Sequence, residues 1–592
     1  MKETEANRQS MREWIAASRF MMAAALITLT GVAARLAWLG LKPFHHDEGV
    51  NGYFLQQLAY QGKYEYDPTN YHGPDLYYIS LFFTNIFGMD DVGTRASVAI
   101  FGILTVIAIL YLRRFIGDIG ALVAAGLMAI SPGMVYVSRY FIHEILFVFF
   151  SLAIPIGIVF FMQRRKAGIV AQGLLAVVLG VLLLPPQSVL VHSALGKAGG
   201  LTLGVRALMA AGTAYAIFLI VKRAASWSNG TPIFLMLSAV SASMLFATKE
   251  TAFITVGTMM ISCVCVLLWE RLANRRASSD EPLSIQGLQS AFGTTLQRNL
   301  LIGICVLLFL LVWGLFFSSF LTNSDGIRDS LRAYAFWTET GTDEHKQGFW
   351  TYLDWMWQIE APILLLSVLG VVIALVKQRN RFVVFAAFWA SGISLAYSII
   401  PYKTPWLMVS FILPMVILAG HAVEEMFRHS VQSVRVLGAL ALTASIAFAG
   451  WQSWDLNFVR YDDDSMPYVY SHTQRSFNEM VARIHQLDAQ IGGEKNLRVE
   501  VVSSAYWPLP WTLRNYKRVA FVGSPVPANG QDVIIARYRE NEEEVLAYYQ
   551  DQYVSLGTFL MRPSVDLLLL VRKDLAGTEG EKLELNLLGN PR

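Results

Sequence analysis

"FMMAAALITLTGVAARLAWLG", from Phe20 to Gly40, is the first of many apolar runs in this chain. A run near or above ~18 apolar residues is long enough to cross the hydrocarbon of a bilayer as a helix. Lipid offers backbone groups no partners, so repeated runs of this kind demand a mainly α, polytopic membrane protein. We place spans near residues 20–40, 93–112, 118–137, 146–162, 169–187, 201–221, 231–247, 251–269, 299–319, 360–376, 382–399, 406–422 and 434–452, about thirteen in all. The chain is 54% hydrophobic and only 15% charged, whereas an ordinary soluble chain is about 25% charged. The net charge of +3 carries no signature of nucleic acid. Cys263, Cys265 and Cys305 all lie inside apolar runs, so no disulfide framework is expected outside the membrane. Lys2, Arg8, Arg12 and Arg19 precede the first run, which is too long for a signal-peptide core and reads as a retained anchor.

Residues 76–88 are apolar but short, and Asp75, Asp90 and Asp91 flank them. We read them as an interfacial or re-entrant helix, and basic residues test that reading. With a cytoplasmic N-terminus, Arg113 and Arg114, "QRRK" (163–166), Lys222 and Arg223, "ERLANRR" (270–276) and "KQRNR" (377–381) all fall inside. A full span at 76–88 would send every later cluster outside. The chain therefore divides into a membrane domain, 1–452, with a long first outer loop at 41–92, and an extracytoplasmic α/β domain, 453–592, at the plasma membrane. In the second domain "FNEMVARIHQL" (477–487) has helical spacing, and 497–504, 532–537 and 565–573 read as strands. The tail after Asp574 reads as loosely ordered.

On this topology the unusual polar residues gather on the outer face. The first loop carries His45, His46, Asp47, Glu48, His72 and Asp75. "SRYFIHE" supplies Arg139, His143 and Glu144, "TKET" supplies Lys249 and Glu250, and "PYKTPW" supplies Tyr402, Lys403 and Trp406. Ionisable groups among spans are costly, and their default reading is functional. Each has a plainer alternative: Asp47 and Glu48 as a solvated loop, Arg139 as an interfacial arginine paired with Glu144, Lys249 and Glu250 as an ion pair at a turn. Pro401 and Pro405 stiffen the loop around Lys403, which suits a fixed phosphate ligand. There is no P-loop, no Rossmann fingerprint, no nucleophile elbow and no HExxH spacing.

"HHDEGVNGYFL", "YHGPDLYY", "SRYFIHE", "TKETAF", "PYKTPW", "MPYVYSHT" (466–473) and "WPLPWTLRNY" (507–516) together resemble the GT-C glycosyltransferases, the group of protein O-mannosyltransferases and the lipid A aminoarabinose transferase. The nearest resemblance is to the prokaryotic flippase-activity-associated proteins. The resemblance implies an integral-membrane enzyme that takes sugar from a polyprenyl-phosphate-linked donor to a hydroxyl acceptor, in contact with membrane lipids. It makes Asp47 the base, with Glu48 second. Arg139, Lys403 and Lys249 become ligands of the donor phosphate, and His46, His72, Asp75, Tyr402 and Trp406 substrate-binding groups. His143 and Glu144 become candidates for a divalent ion, Mg or Mn. The WWDYG motif of oligosaccharyltransferases is missing, and Glu144 stands where several relatives have Asp.

The chemistry agrees with these roles. A carboxylate takes the acceptor proton while cations hold a leaving phosphate whose charge grows in the transition state. Adjacent residues on a helix point ~100° apart, so Asp47 and Glu48 do not both face one site. The rival readings are a lipid-linked sugar flippase and a non-catalytic scaffold. A transporter is expected to place broken helices near midplane with internal symmetry, and neither is evident.

Overall fold

The spans form where the apolar runs predict them. Among the described residues of the computed structural model ten helices are long and apolar enough to cross a membrane, or twelve if each of two bent pairs is one span. Pro232–Thr248, shorter but apolar, occupies the place expected for 231–247. The structure describes residues 2–70, 72–195, 200–273, 283–339, 346–377, 380–538, 540 and 542–576. Tyr71, Arg275, Arg276, Arg379 and the tail beyond 576 lie outside the described residues. The chain divides into a spanning unit (1–37, 57–87 and 95–454) and a sheet unit (38–56, 88–94 and 455–592). Two pieces of the first loop thus belong with the C-terminal residues.

In the spanning unit the helices differ sharply in what surrounds them. Pro405–Phe427 is 89% buried, whereas Leu203–Gly230 is 6% buried and turns apolar side chains outward all round, as lipid-facing helices do. The buried helix packs against Asp118–Ile130, Ala361–Lys377 and Arg381–Ile399. Its approach to the first needs a glycine, because a Cβ on Gly420 would lie 2.2 Å from Gly120 O. Asp75–Phe87 is a helix of 13 residues, separate from the spans.

Two pairs of apolar helices are bent at short breaks, which corrects the expectation that the chain has no broken helices. Asp118–Ile130 and Pro132–Ser138 meet at 58°, and Thr351–Ile359 and Ala361–Lys377 at 114°. Glu360, in the second break, accepts hydrogen bonds from Ser131 Oγ (2.7 Å) and Gly133 N (2.8 Å) in the first. One buried carboxylate therefore caps the new helix start and ties the bends together.

The sheet unit holds five strands: β1 (Arg498–Val502), β2 (Arg518–Val522), β3 (Val533–Arg537), β4 (Tyr553–Arg562) and β5 (Val565–Arg572). Their order is β2-β1-β3-β5-β4. The pairs of β1 with β2 and β3 are parallel, while β5 pairs antiparallel with β3 and β4. Helix Arg475–Gln490 places Phe477, Met480, Ile484 and Leu487 in the core on one face. Val545 and Tyr549 of Glu542–Tyr549 cover the other. β1, β3 and β5 fall where the sequence predicts strands. β2 was not expected, being an edge strand with a largely exposed pattern. β4 was not expected either, because two register shifts interrupt its alternation.

Candidate active site

In the spanning unit three of the sequence motifs close on one another. Gly73 N donates to Thr248 O (2.9 Å), and His72 pairs with Lys249 in an isolated antiparallel bridge. A Cβ on Gly73 would lie 1.8 Å from Ala247 O, so only glycine admits this approach. His143 Nε2 lies 3.0 Å from Gly73 O. The carbonyl can only accept, so Nε2 carries the proton and Nδ1 its lone pair. The ring packs 4.8 Å from that of His72. Burial, then His72 and Lys249, push the His143 pKa well down, so the ring is neutral.

Lys249 Nζ lies 2.7 Å from Glu144 Oε1, and both residues are buried. Burial alone lowers the lysine pKa; Glu144, with Tyr397 and Tyr402, outweighs it and raises it. The ammonium is therefore charged at neutral pH. Asp75 is the opposite case. Burial raises its pKa well above the carboxylate range. Thr248 Oγ1 lies 2.6 Å from Asp75 Oδ2 and 2.7 Å from Met244 O. A hydroxyl has one hydrogen, so both contacts are satisfied together when Asp75 is protonated and donates. Glu250, which accepts from Tyr66 OH at 2.9 Å, is pushed up to about 7 by burial.

Arg139 and Lys403 are anchored to backbone. Arg139 Nη1 donates to the carbonyls of Ala34, Arg35 and Ala37 at the end of the first span. Arg35 in turn donates to Ser138 Oγ and to the carbonyls of Met128 and Ala129. Burial, then Arg95, push Arg139 down to about 10, still charged at neutral pH. Lys403 Nζ donates to Ser398 O and Ile400 O, closing the end of Arg381–Ile399, and sits 5.6 Å from the Tyr352 ring centre. Trp406 packs edge-on to Tyr140 at 6.5 Å.

The sheet unit carries the other group. Helix His46–Gln61 begins with a capping box whose cap is a histidine. His45 Nδ1 accepts from Asp47 N (3.0 Å), and Glu48 Oε2 accepts from His45 N (2.9 Å). This separates the two acids. Glu48 is wholly buried and occupied as a cap, while the Asp47 carboxylate is 41% exposed, 3.7 Å from His45 Nδ1. Gly49 and Gly52 bring the helix against Pro508 and Trp511; a Cβ on Gly52 would lie 2.3 Å from Trp511. Thr473 Oγ1 donates to Phe44 O (2.8 Å) and His472 packs on His45. Three motifs far apart in sequence thus build this corner.

A family model described as dolichyl-phosphate-mannose-protein mannosyltransferase matches residues 71–198. Among curated proteins no sequence matches the chain. Among solved structures, ArnT from Cupriavidus metallidurans bound to undecaprenyl phosphate superposes with a TM-score of 0.55 at 13% identity, over 95% of this chain and 99% of that one. Its apo state gives 0.55 at 13%, over 96% and 99%. The chain has the GT-C fold.

Within this GT-C frame the candidate residues fall into one group per unit. His72, Asp75, His143, Glu144 and Lys249 come together in the spanning unit, with Tyr402 acting on Lys249. His46, Asp47 and Glu48 belong to the sheet unit. For the divalent ion expected at His143 and Glu144 the structure shows no metal-holding group of three His, Cys, Asp or Glu side chains among the described residues, and Lys249 Nζ occupies one oxygen of Glu144. Sequence reasoning missed Arg562, whose Nη1 donates to His46 Nδ1 at 2.9 Å. It also missed Arg35 and Glu360. The last two sit inside apolar runs, where a lone charge is itself the signal.

Proposed function

We propose that this protein is a membrane glycosyltransferase that moves a sugar from a polyprenyl-phosphate-linked donor to a hydroxyl acceptor on the extracytoplasmic face of the plasma membrane. The observation that carries the reading is the difference in exposure within the DE pair: Glu48 is wholly buried and caps the helix, whereas the Asp47 carboxylate is 41% exposed to a substrate. The GT-C fold and the undecaprenyl phosphate held by ArnT support a lipid-linked donor. The mannosyltransferase family match supports sugar transfer to a hydroxyl.

The acceptor oxygen attacks the anomeric carbon, the bond from that carbon to the phosphate oxygen breaks, and polyprenyl phosphate leaves. Asp47 takes the acceptor proton as the new bond forms. Lys249, charged and held by Glu144, stabilises the leaving phosphate. Arg139 and Lys403 contribute charge while fixing the ends of two spans. Neutral His143, protonated Asp75, His72, His46, Tyr402 and Trp406 supply uncharged contacts to the sugar.

The purified protein in nanodiscs, given radiolabelled sugars on polyprenyl phosphate and a panel of hydroxyl acceptors, is expected to release polyprenyl phosphate and label one acceptor. Asp47→Asn keeps the shape but takes no proton, so kcat falls at least about a hundredfold with donor affinity kept. Near-wild-type turnover of Asp47→Asn ends the mechanism. Donor flipping without transfer puts the transport reading in its place.

A further inference from the structure

Arg562 ends β4 at the hairpin into β5, in a register shift between Leu560 and Arg562. A bulge at such a place re-aims a side chain. Here the guanidinium turns to the first turn of helix His46–Gln61, where Nη1 reaches His46 Nδ1 at 2.9 Å and Trp507 O at 3.4 Å. Arginine donates only, so His46 Nδ1 is bound as an acceptor and the ring is neutral with its proton on Nε2. Arg562 is half-buried, and its charge is felt by both His45 and His46, as Asp47 is felt by Arg562. Trp507 closes one side, edge-on to Tyr53 at 6.0 Å and tilted on His46 at 6.3 Å. The ionisable groups around this corner include Lys42, His45, His46, Asp47 and Glu48 along the chain, His472 against His45, and Arg562 and Arg537 from the sheet.

We infer that Arg562 is a positioning residue for the base: it locks His46 as the neutral Nε2–H tautomer and sets a positive charge against Asp47, so that the carboxylate meets an acceptor hydroxyl ionised. The inference rests on the glycosyltransferase reading and extends it to a residue of the C-terminal sheet. Burial first, then His45 and Arg562, bring the His46 pKa down to about 4, while Asp47 opposes them. Of the groups that lower the His46 pKa, Arg562 carries the permanent positive charge. Its guanidinium also keeps donors beyond the one on His46, which lets it orient a substrate oxygen beside Asp47.

The test uses the full chain in nanodiscs with Arg562→Met and Arg562→Lys. An opposite charge at this range moves a pKa by about one unit or more. The acid limb of the kcat profile should therefore shift up by about one unit in Arg562→Met, with activity on that limb falling about tenfold more than on the plateau. Arg562→Lys should recover most of the shift. The second readout needs no turnover: the His46 imidazole nitrogens, ¹⁵N-labelled and assigned by loss in His46→Asn, should stay neutral down to pH 5 in the wild type and take up their proton at a clearly higher pH in Arg562→Met. An unmoved His46 titration, or an unmoved acid limb with transfer intact, overturns the role of Arg562. A wild-type protein without transfer overturns the glycosyltransferase reading, while the histidine titration still decides the lock.

Discussion

The DE pair shows how far a residue type can be read without its surroundings. Two adjacent carboxylates at a helix start look equivalent, and both are favoured there by the helix dipole. The capping box breaks the tie: Glu48 is buried on the His45 backbone, while the Asp47 carboxylate keeps part of its surface exposed. Losing such a cap costs about 1 kcal/mol, so Glu48→Gln, which still accepts, should lower stability by less than that. Glu250 makes a pH-dependent prediction. Burial raises its pKa from 4.5 to about 7. Its folded form holds a proton that the unfolded form releases from pH 4.5 upward. Its contribution to stability is therefore fully present below about pH 4.5 and is lost as pH rises through 7. The span of 2.5 pH units corresponds to about 3 kcal/mol. The Tm of the detergent-solubilised protein should fall between pH 5 and 8, and Glu250→Gln should flatten that fall. An equal slope in the variant would assign the pH effect to another group.

At the scale of elements, the spans were legible because the bilayer imposes a length and an apolar composition, and both are written in consecutive residues. The breaks and the motif-to-motif closures were not, since they depend on partners distant in sequence. Glu360 reaching Ser131 and Gly133 is one case. β4 is another: its bulges disturb the alternation that marks a strand, and Arg562 stayed hidden with it. Glycines in the quoted motifs were visible, but their purpose emerges only from what they touch. Gly73 in "YHGPD" lets its loop lie against the end of Pro232–Thr248, where an added Cβ would meet Ala247 O at 1.8 Å. Backbone on both sides leaves no flexible side chain to yield. Gly73→Ala should therefore displace His72 and His143 from Lys249 and Glu144, at an overpacking cost of about 1–3 kcal/mol. Tm and donor affinity, measured together, should both drop. Wild-type values for both would show that the loop does not need this approach.

For the whole molecule, the strongest expectation is also the simplest to test. If the ten long helices, the two bent pairs and Pro232–Thr248 among the described residues all cross, the count is thirteen, and an odd number is expected to put the segments before the first and after the last on opposite sides. Counted in order, they return "QRRK", Lys222 with Arg223, and Arg428 to the face of the N-terminus, as the distribution of basic residues requires. On that count the loop containing Thr69, the 249–251 turn and the residues after the last crossing are each expected on the face opposite the N-terminus. The separate helix Asp75–Phe87 decides the outcome: at 13 residues it rises about 20 Å, short of the ~30 Å of hydrocarbon. Counting it as a span would reverse every later loop and part the SRYFIHE and TKET motifs from the face of the first loop. In a background with Cys263, Cys265 and Cys305 replaced by serine, single cysteines at Thr69 and Asn529, both exposed, should react with an impermeant maleimide on intact cells. Cysteines at Arg164, Lys222 and Arg428, exposed as well, should react only after the membrane is opened. Labelling of the second set on intact cells, with Thr69 still reactive, would make Asp75–Phe87 a crossing and remove the common face on which the transfer mechanism depends.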